Sequence, residues 1–393
     1  MKPAHIPLLF LLLVCLCGCQ AQLEKEYTAV IPHEEQYEAD QYSDALTAEN
    51  YLGLKNAILG FVETGTDYGV MRIYHYDGDL STDLANAVYE VCNTDALGAY
   101  AVEHMTYDYA RIVSYYELYF YITFRVSPSR LSEIRYCSSS AELETELENV
   151  LLQYRPYSAI RIANFQDFSL EEVMHRLFLS HPEMGSSEPT YVCRYYPESG
   201  IQRIMELTVQ FPYDIMEMQS RHASLAQRAD EIVASLERFT TDTLRVERMY
   251  RWFMDRVTYI GEDSPLFSSA FNALVNRYGS SMGMALSVQL LCNRLSIPCM
   301  IVEGSYQNEP WNWNMVFYDT SWHHIDIAQG LIQSLKTYTA RYDDQMDGYD
   351  WDAAAYPVCT GSDEDEPDNA LPTDADGTAD TISYRLQLPE TNP

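Results

Sequence analysis

The side chains best suited to chemistry gather between Gly279 and Asp326. The run Gly279-Ser280-Ser281-Met282-Gly283-Met284-Ala285 opens an apolar helical pattern. Trp311-Asn312-Trp313-Asn314 lies in a strand-like run, and Trp322-His323-His324-Ile325-Asp326 in the next. Ser281 offers a hydroxyl at the start of a helix, where the dipole and free amide N–H groups favour a developing anion. Without a base, that hydroxyl is a very weak nucleophile near pH 7. Trp311 cannot be the base, because an indole nitrogen only donates. His324 stands two residues before Asp326 and shares its strand face, so it is the imidazole that could approach. Cys292 lies about 16 Å from Ser281 along a helix and cannot replace it. The plainer reading of Ser281, and the favoured one, is a helix N-cap.

These residues need a particular set of elements around them. The helix carries apolar Met284, Val288, Leu291 and Leu295 and ends at Ser296-Ile297-Pro298. A strand follows from Cys299 to Val302-Glu303-Gly304, then the WNWNMVFY strand, a turn at Asp319-Thr320, and the SWHHIDIA strand. Together these motifs resemble the transglutaminase-like superfamily, within the papain-like cysteine-nucleophile group. There a pattern near G-x-C-x-G-[YF]-A opens a helix, G-I-P closes it, and H-A-W-N and W-x-x-x-D occupy successive strands. The resemblance spans roughly residues 240–358, with Tyr349-Asp350-Trp351-Asp352 and Tyr356-Pro357-Val358-Cys359 resembling a terminal stretch of such lipoproteins. It implies that the nucleophile position falls on Ser281, the base position on Trp311 and the orienting acid on Asp326. Only the acid is retained, so the three read as vestigial. Trp311 and Trp313 then fill the old cleft or line a groove.

Upstream, residues 50–213 contain an internal repeat. Helix, strand, helix, strand, strand occurs as 51–62, 68–74, 80–93, 101–109 and 112–124. It recurs as 141–154, 159–165, 170–179, 190–196 and 201–211. Tyr68-Gly69-Val70-Met71-Arg72-Ile73 aligns with Tyr157-Ser158-Ala159-Ile160-Arg161-Ile162. Two tandem αβαββ units are expected, 46–126 and 127–213. Residues 214–258 read as helical, with Asp242 as an N-cap, and lead into the transglutaminase-like domain, 214–358. The expected fold class is α+β throughout.

The ends differ in kind. Residues 1–19, MKPAHIPLLFLLLVCLCGC, carry a basic Lys2 and an apolar run too short to span a bilayer. Leu16-Cys17-Gly18-Cys19 resembles a bacterial lipobox, which implies cleavage after residue 18 and lipidation of Cys19. A polar tether, 19–45, follows. An acidic tail, 359–393, closes the chain, with eight acidic and no basic residues between Asp363 and Asp380. It has too little apolar area to fold alone.

Asp and Glu number 58 against 25 Lys and Arg, a net charge of -33. That surface repels nucleic acid and suits basic partners or cations. Tyrosines number 32, many in strands, where they serve half-buried positions or sugar and peptide contacts. Cys92, Cys137, Cys193, Cys292, Cys299 and Cys359 show no metal-ligand spacing, so neither metal nor cofactor is expected. The expected function is a lipid-anchored binding protein on the outer face of the bacterial cytoplasmic membrane or on the cell surface. Its ligand would be a peptide, a protein or wall glycan. The alternative is an acyl-transfer or peptidase enzyme with an atypical Ser281 centre helped by His324.

Overall fold

The computed structural model describes residues 46–360 except Asp167 and Asp263. The signal segment, Cys19, the tether up to 45 and the acidic run from 361 onward lie outside the described residues.

The first unit comprises α1 (Tyr51–Glu63), β1 (Tyr68–Ile73), α2 (Leu80–Asn93), α3 (Ala96–Ala101), β2 (Val102–Ile112) and β3 (Tyr115–Phe124). Its helices start where polar side chains satisfy free amides. Asn50 accepts from Gly53 N, Asp79 from Ser81 N and Asp95 from Leu97 N. The sheet runs β1-β3-β2, antiparallel throughout. After a short helix α4 (Pro128–Leu131), the second unit adds β4 (Arg135–Cys137), α5 (Ser140–Leu152), β5 (Tyr157–Ile162), α6 (Leu170–Ser180), β6 (Thr190–Tyr196) and β7 (Arg203–Gln210). Its order is β4-β5-β7-β6, with β4 parallel to β5.

The repeat holds, and each copy begins one element earlier than the sequence suggests. Arg135 pairs with Ile160 on the edge of β5, and Leu46 forms the matching parallel bridge to Met71. Three paired residues are too few to show a two-residue period, so composition hid this strand. Helix α3 is the other addition, and it joins the two units. It lies across β6 and β7, and Tyr100 hydroxyl meets that of Tyr157 at the start of β5 at 2.5 Å. Tyr157 and Tyr196 then donate to the two oxygens of Glu206, each at 3.1 Å.

The C-terminal part contains α7 (Ile215–Leu236), α8 (Asp242–Arg256), β8 (Thr258–Tyr259), β9 (Tyr278–Gly279), α9 (Ser281–Leu295), β10 (Cys299–Tyr306), β11 (Glu309–Tyr318), β12 (Ser321–Ile325), α10 (Ile327–Ile332) and β13 (Tyr349–Trp351). Thr241, not Asp242, caps α8: its side chain accepts from Leu244 N, and Asp242 is the first helical residue. The main sheet is antiparallel in the order β12-β11-β10-β13. Asp319 and Thr320 both take positive φ, 47° and 68°, as a two-residue hairpin requires. Helix α9 packs on β10 and β11 and is buried along nearly its whole length.

The fold is α+β. Its apolar interior does not divide at residue 213. One buried cluster belongs to the first unit and takes in Ala159 and Ile204. The other runs without a break from Cys137 through the second unit into the C-terminal sheet. His175 on α6 ties these parts together, with Nδ1 2.9 Å from Glu188 and Nε2 2.8 Å from Glu303 on β10. Those hydrogen bonds, to Glu188 and then Glu303, push its pKa up to about 10. The second unit and the C-terminal part therefore share a core. Cys359 is likewise in that core, so the expected tail begins beyond it.

Candidate functional site

Helix α9 begins against a tight loop. Ser280 is its N-cap, accepting from Gly283 N at 3.3 Å and touching Ser268 Oγ at 3.0 Å. Ser281, expected as the cap, is instead the first helical residue. The reason is that Ser280 holds the extended backbone that a cap needs, φ -86° and ψ 177°. Gly283 is required here by space: a Cβ would meet the Phe267 carbonyl at 2.7 Å. The amide of Ser281 donates to Glu262 Oε1 at 2.6 Å, so a carboxylate of this chain already sits at the positive end of α9.

Ser281 is fully buried. Its Oγ accepts from Asn312 N at 3.3 Å and from Asn312 Nδ2 at 3.4 Å. Among the described residues its hydroxyl has no imidazole partner. Neighbouring Trp311 is buried, and its Nε1–H donates to Asp326 Oδ2 at 2.7 Å. Tyr259 and Tyr306 flank the indole, with ring centroids 5.5 and 6.1 Å away. The three residues singled out from the sequence thus meet at one place, where β11 passes from Asn312 at Ser281 to Trp311 at Asp326.

Asp326 follows β12 and caps α10. Its Oδ1 accepts from Gln329 N at 2.8 Å, while its Oδ2 accepts from Trp311 and from Tyr349 hydroxyl, the latter at 2.8 Å. Burial raises the pKa of its carboxyl, and the three donors work against that rise. The sequence indicated Asp326 and Ser281 but not Tyr349 and Gln329 around the acid, nor Asn312 and Glu262 around the serine. Tyr349 lies in the terminal stretch already singled out. It reaches the site because β13 pairs with β10 at Gly304, where a Cβ would collide with the Asp350 carbonyl and the Trp313 ring.

His324 does not approach Ser281. Its Nδ1 accepts from Trp313 Nε1 at 2.9 Å and its Nε2 faces Asp343 Oδ1 at 2.8 Å. The strand ends at Ile325, and the chain turns into the cap of α10, so the shared strand face does not continue to Asp326. The Trp313 donor fixes the His324 proton on Nε2, pointing at Asp343. Cys359 completes this second group, its amide donating to Asp343 Oδ2 at 3.1 Å. His324, Asp343 and Cys359 offer three donor atoms within 4.8 Å of one another. A cation there would need the Nε2 lone pair, which that tautomer does not provide. The group therefore fits a strap that ties the segment at Cys359 to β12. Burial raises the Cys359 thiol pKa and lowers that of His324.

Chemically, the centre contains an acid with three donors and a hydroxyl with two donors, and among the described residues no imidazole links the two. The indole N–H of Trp311 bonds to the carboxylate, and Asn312, the next residue on β11, bonds to the hydroxyl.

No family model matches the chain, and no curated protein matches it. Solved structures similar to it include a protein described as a TGase, at 14% identity and a TM-score of 0.25, covering 54% of this chain. They also include a candidate cysteine protease from Cytophaga hutchinsonii, at 14% identity and a TM-score of 0.25, covering 36% of this chain. The chain spans 63% and 62% of those two proteins, less than two thirds of either.

Proposed function

We propose that the protein is a lipid-anchored surface binding protein. Its C-terminal part is a transglutaminase-like domain that holds ligands without turning them over. The observation that carries this reading is the Trp311–Asp326 hydrogen bond beside a Ser281 hydroxyl whose partners are both donors. Acyl transfer needs a base that removes the nucleophile's proton and an imidazole that later returns it. Tryptophan does neither. The hydroxyl and the carboxylate are held by Asn312, Trp311, Tyr349 and Gln329, all of them donors, which supports a role other than proton transfer. The ligand is a peptide, a protein or wall glycan, met at the outer face of the bacterial cytoplasmic membrane.

Purified protein is expected to show no amide-forming or peptide-cleaving turnover above background with glutamine-donor and casein-type substrates. Ser281→Ala should leave that background unchanged. Turnover by the native chain that disappears in Ser281→Ala would establish the enzyme reading instead.

The anchor rests on the Leu16-Cys17-Gly18-Cys19 motif. Cys19→Ala is expected to move the protein from the membrane fraction to the medium or to leave it unprocessed. Two acyl chains on one cysteine suffice for stable attachment. An acylated, membrane-bound Cys19→Ala variant would refute it. No helix of the described residues is long and apolar enough to cross a membrane.

A further inference from the structure

A chain with 58 acidic and 25 basic residues has carboxylates to spare for its cations. Arg256 and Arg277 nevertheless go without one. Among the described residues neither side chain makes an ion pair or a hydrogen bond. Both guanidinium groups lie against one indole, that of Trp252, with Arg277 4.5 Å and Arg256 5.8 Å from the ring centre. Arg256 ends α8, where the helix dipole favours a cation, and that accounts for one charge. Arg277 ends a π-helical turn, Asn272–Asn276, and takes a left-handed φ of 70° that L side chains rarely adopt.

Helix α7 packs on that turn and brings a third guanidinium. Arg228 donates through Nη1 to Glu231 Oε2 at 2.6 Å, while its Nε is buried without a partner. Arg277 Nη1 is buried without one too. Two turns earlier on the same face of α7, Arg221 Nη2 is another such atom, although its Nε reaches the Gly185 carbonyl at 3.1 Å. Among the described residues seven buried side-chain polar atoms lack a partner, and three of them belong to arginines of this one strip. A concentration of that kind asks for an acceptor that the chain itself does not supply. Burial lowers the Arg277 pKa, the charges of Arg228 and Arg256 lower it further, and Glu231 opposes them. Three guanidinium groups thus act on one another with one carboxylate among them, a surplus of two positive charges.

We propose that Arg228, Arg256 and Arg277, gathered at Trp252, bind a phosphate dianion, either inorganic phosphate or a phosphate monoester. Charge selects the class. A surplus of two matches this dianion, whereas a carboxylate or a phosphodiester carries half as much. Guanidinium forks pair with phosphate oxygens through parallel, charge-assisted hydrogen bonds. The enclosed donors come into reach when the arginine side chains turn, a change of rotamer that is common on binding. Glu231 competes with the ligand for Arg228. This site uses none of Ser281, Trp311 and Asp326 and lies beyond the binding reading given for them, so the outcome at one centre leaves the other untouched.

The test is calorimetry on the purified full-length protein at about pH 8, where a phosphate monoester is a dianion. Inorganic phosphate and glycerol 3-phosphate are the probes, with acetate and dimethyl phosphate as monoanion controls. Ionic strength is held constant, so general screening does not enter. The dianions should bind saturably, and the monoanions about tenfold more weakly or worse. Tighter binding of glycerol 3-phosphate supports a monoester as the ligand, and tighter binding of phosphate supports the free ion. Arg277→Gln should weaken phosphate about tenfold, and Arg256→Gln several-fold. Glu231→Gln should strengthen it several-fold, because a competing carboxylate is gone; loss of a merely structural ion pair would not have that sign. Arg256 and Glu231 are exposed, so these two variants test the site even if Arg277→Gln fails to fold. Arg111→Gln, which removes an exposed arginine on β2, should bind normally. Absence of saturable phosphate binding, equal affinity for acetate, or an affinity unchanged in both Arg256→Gln and Glu231→Gln would overturn the proposal.

Discussion

Asp326→Ala is expected to destabilise the protein by about 3–5 kcal/mol, because one buried acceptor serves three donors and removing it strands all of them. Trp311 Nε1, Tyr349 hydroxyl and Gln329 N all bond to this carboxylate, and α10 loses its N-cap as well. Trp311→Phe removes one donor and keeps most of the ring, so it should cost less, about 1–2 kcal/mol. The double variant should be less damaged than the sum, since the stranded indole donor is then gone. Denaturant unfolding of the four proteins reads all of this. A loss below about 1 kcal/mol for Asp326→Ala would mean that water replaces the carboxylate, and that the site is open rather than filled. The dependence on pH has a definite sign. Burial raises the carboxyl pKa in the folded state, so folding favours its protonated form. That contribution is fully present below the unfolded value, near 3.9, and is lost as pH rises through the folded value. Asp326→Asn should lack this limb of the stability curve.

The second large effect is a gain of thiol chemistry. Ser281→Cys combined with Trp311→His should give a thiol alkylated about tenfold faster at pH 6 than in Ser281→Cys alone. Replacing the buried indole by a smaller imidazole also opens the site, so Ser281→Cys with Trp311→Ala is the control that separates access from ion pairing. What then differs is an imidazole between the thiol and Asp326, which stabilises the thiolate as an ion pair. The carboxylate of Glu262, 2.6 Å from the Ser281 amide, opposes an anion there. Glu262→Gln should therefore speed alkylation in both backgrounds. The six cysteines of the described residues alone make background reaction unavoidable, so modification must be read at position 281 by peptide mapping. Equal rates in the single and double variants would mean that Trp311 does not hold the base position.

Much of the frame was legible because it repeats. The helices at 51–63 and 80–93 and the strand at 190–196 fall within a residue of where periodicity puts them. Short elements were not legible. Strand β4 has three residues, its counterpart at Leu46 is a single bridge, and α3 spans less than two helical turns. Pieces of that size take their structure from neighbours rather than from their own pattern. The caps were displaced by one residue at Thr241 and Ser280, because adjacent polar residues compete for one role that backbone geometry alone assigns.

By itself the sequence determined the local chemistry. Ser281, Trp311 and Asp326 stand in a row of motifs whose order fixes which helix and strands must meet, and their side chains set what proton transfers are open to them. It also fixed the acidic balance and the alternation that puts Tyr68 and Arg72 on one side of a strand. The tertiary structure alone decided which neighbours complete each group. Glu262 reaches the α9 start from a loop, Tyr349 reaches Asp326 from a strand far along the chain, and His324 turns to Trp313 and Asp343 instead. Hydrogen bonds and ring contacts depend on distance in space, and pairing across long loops is not encoded in the spacing of residues along the chain.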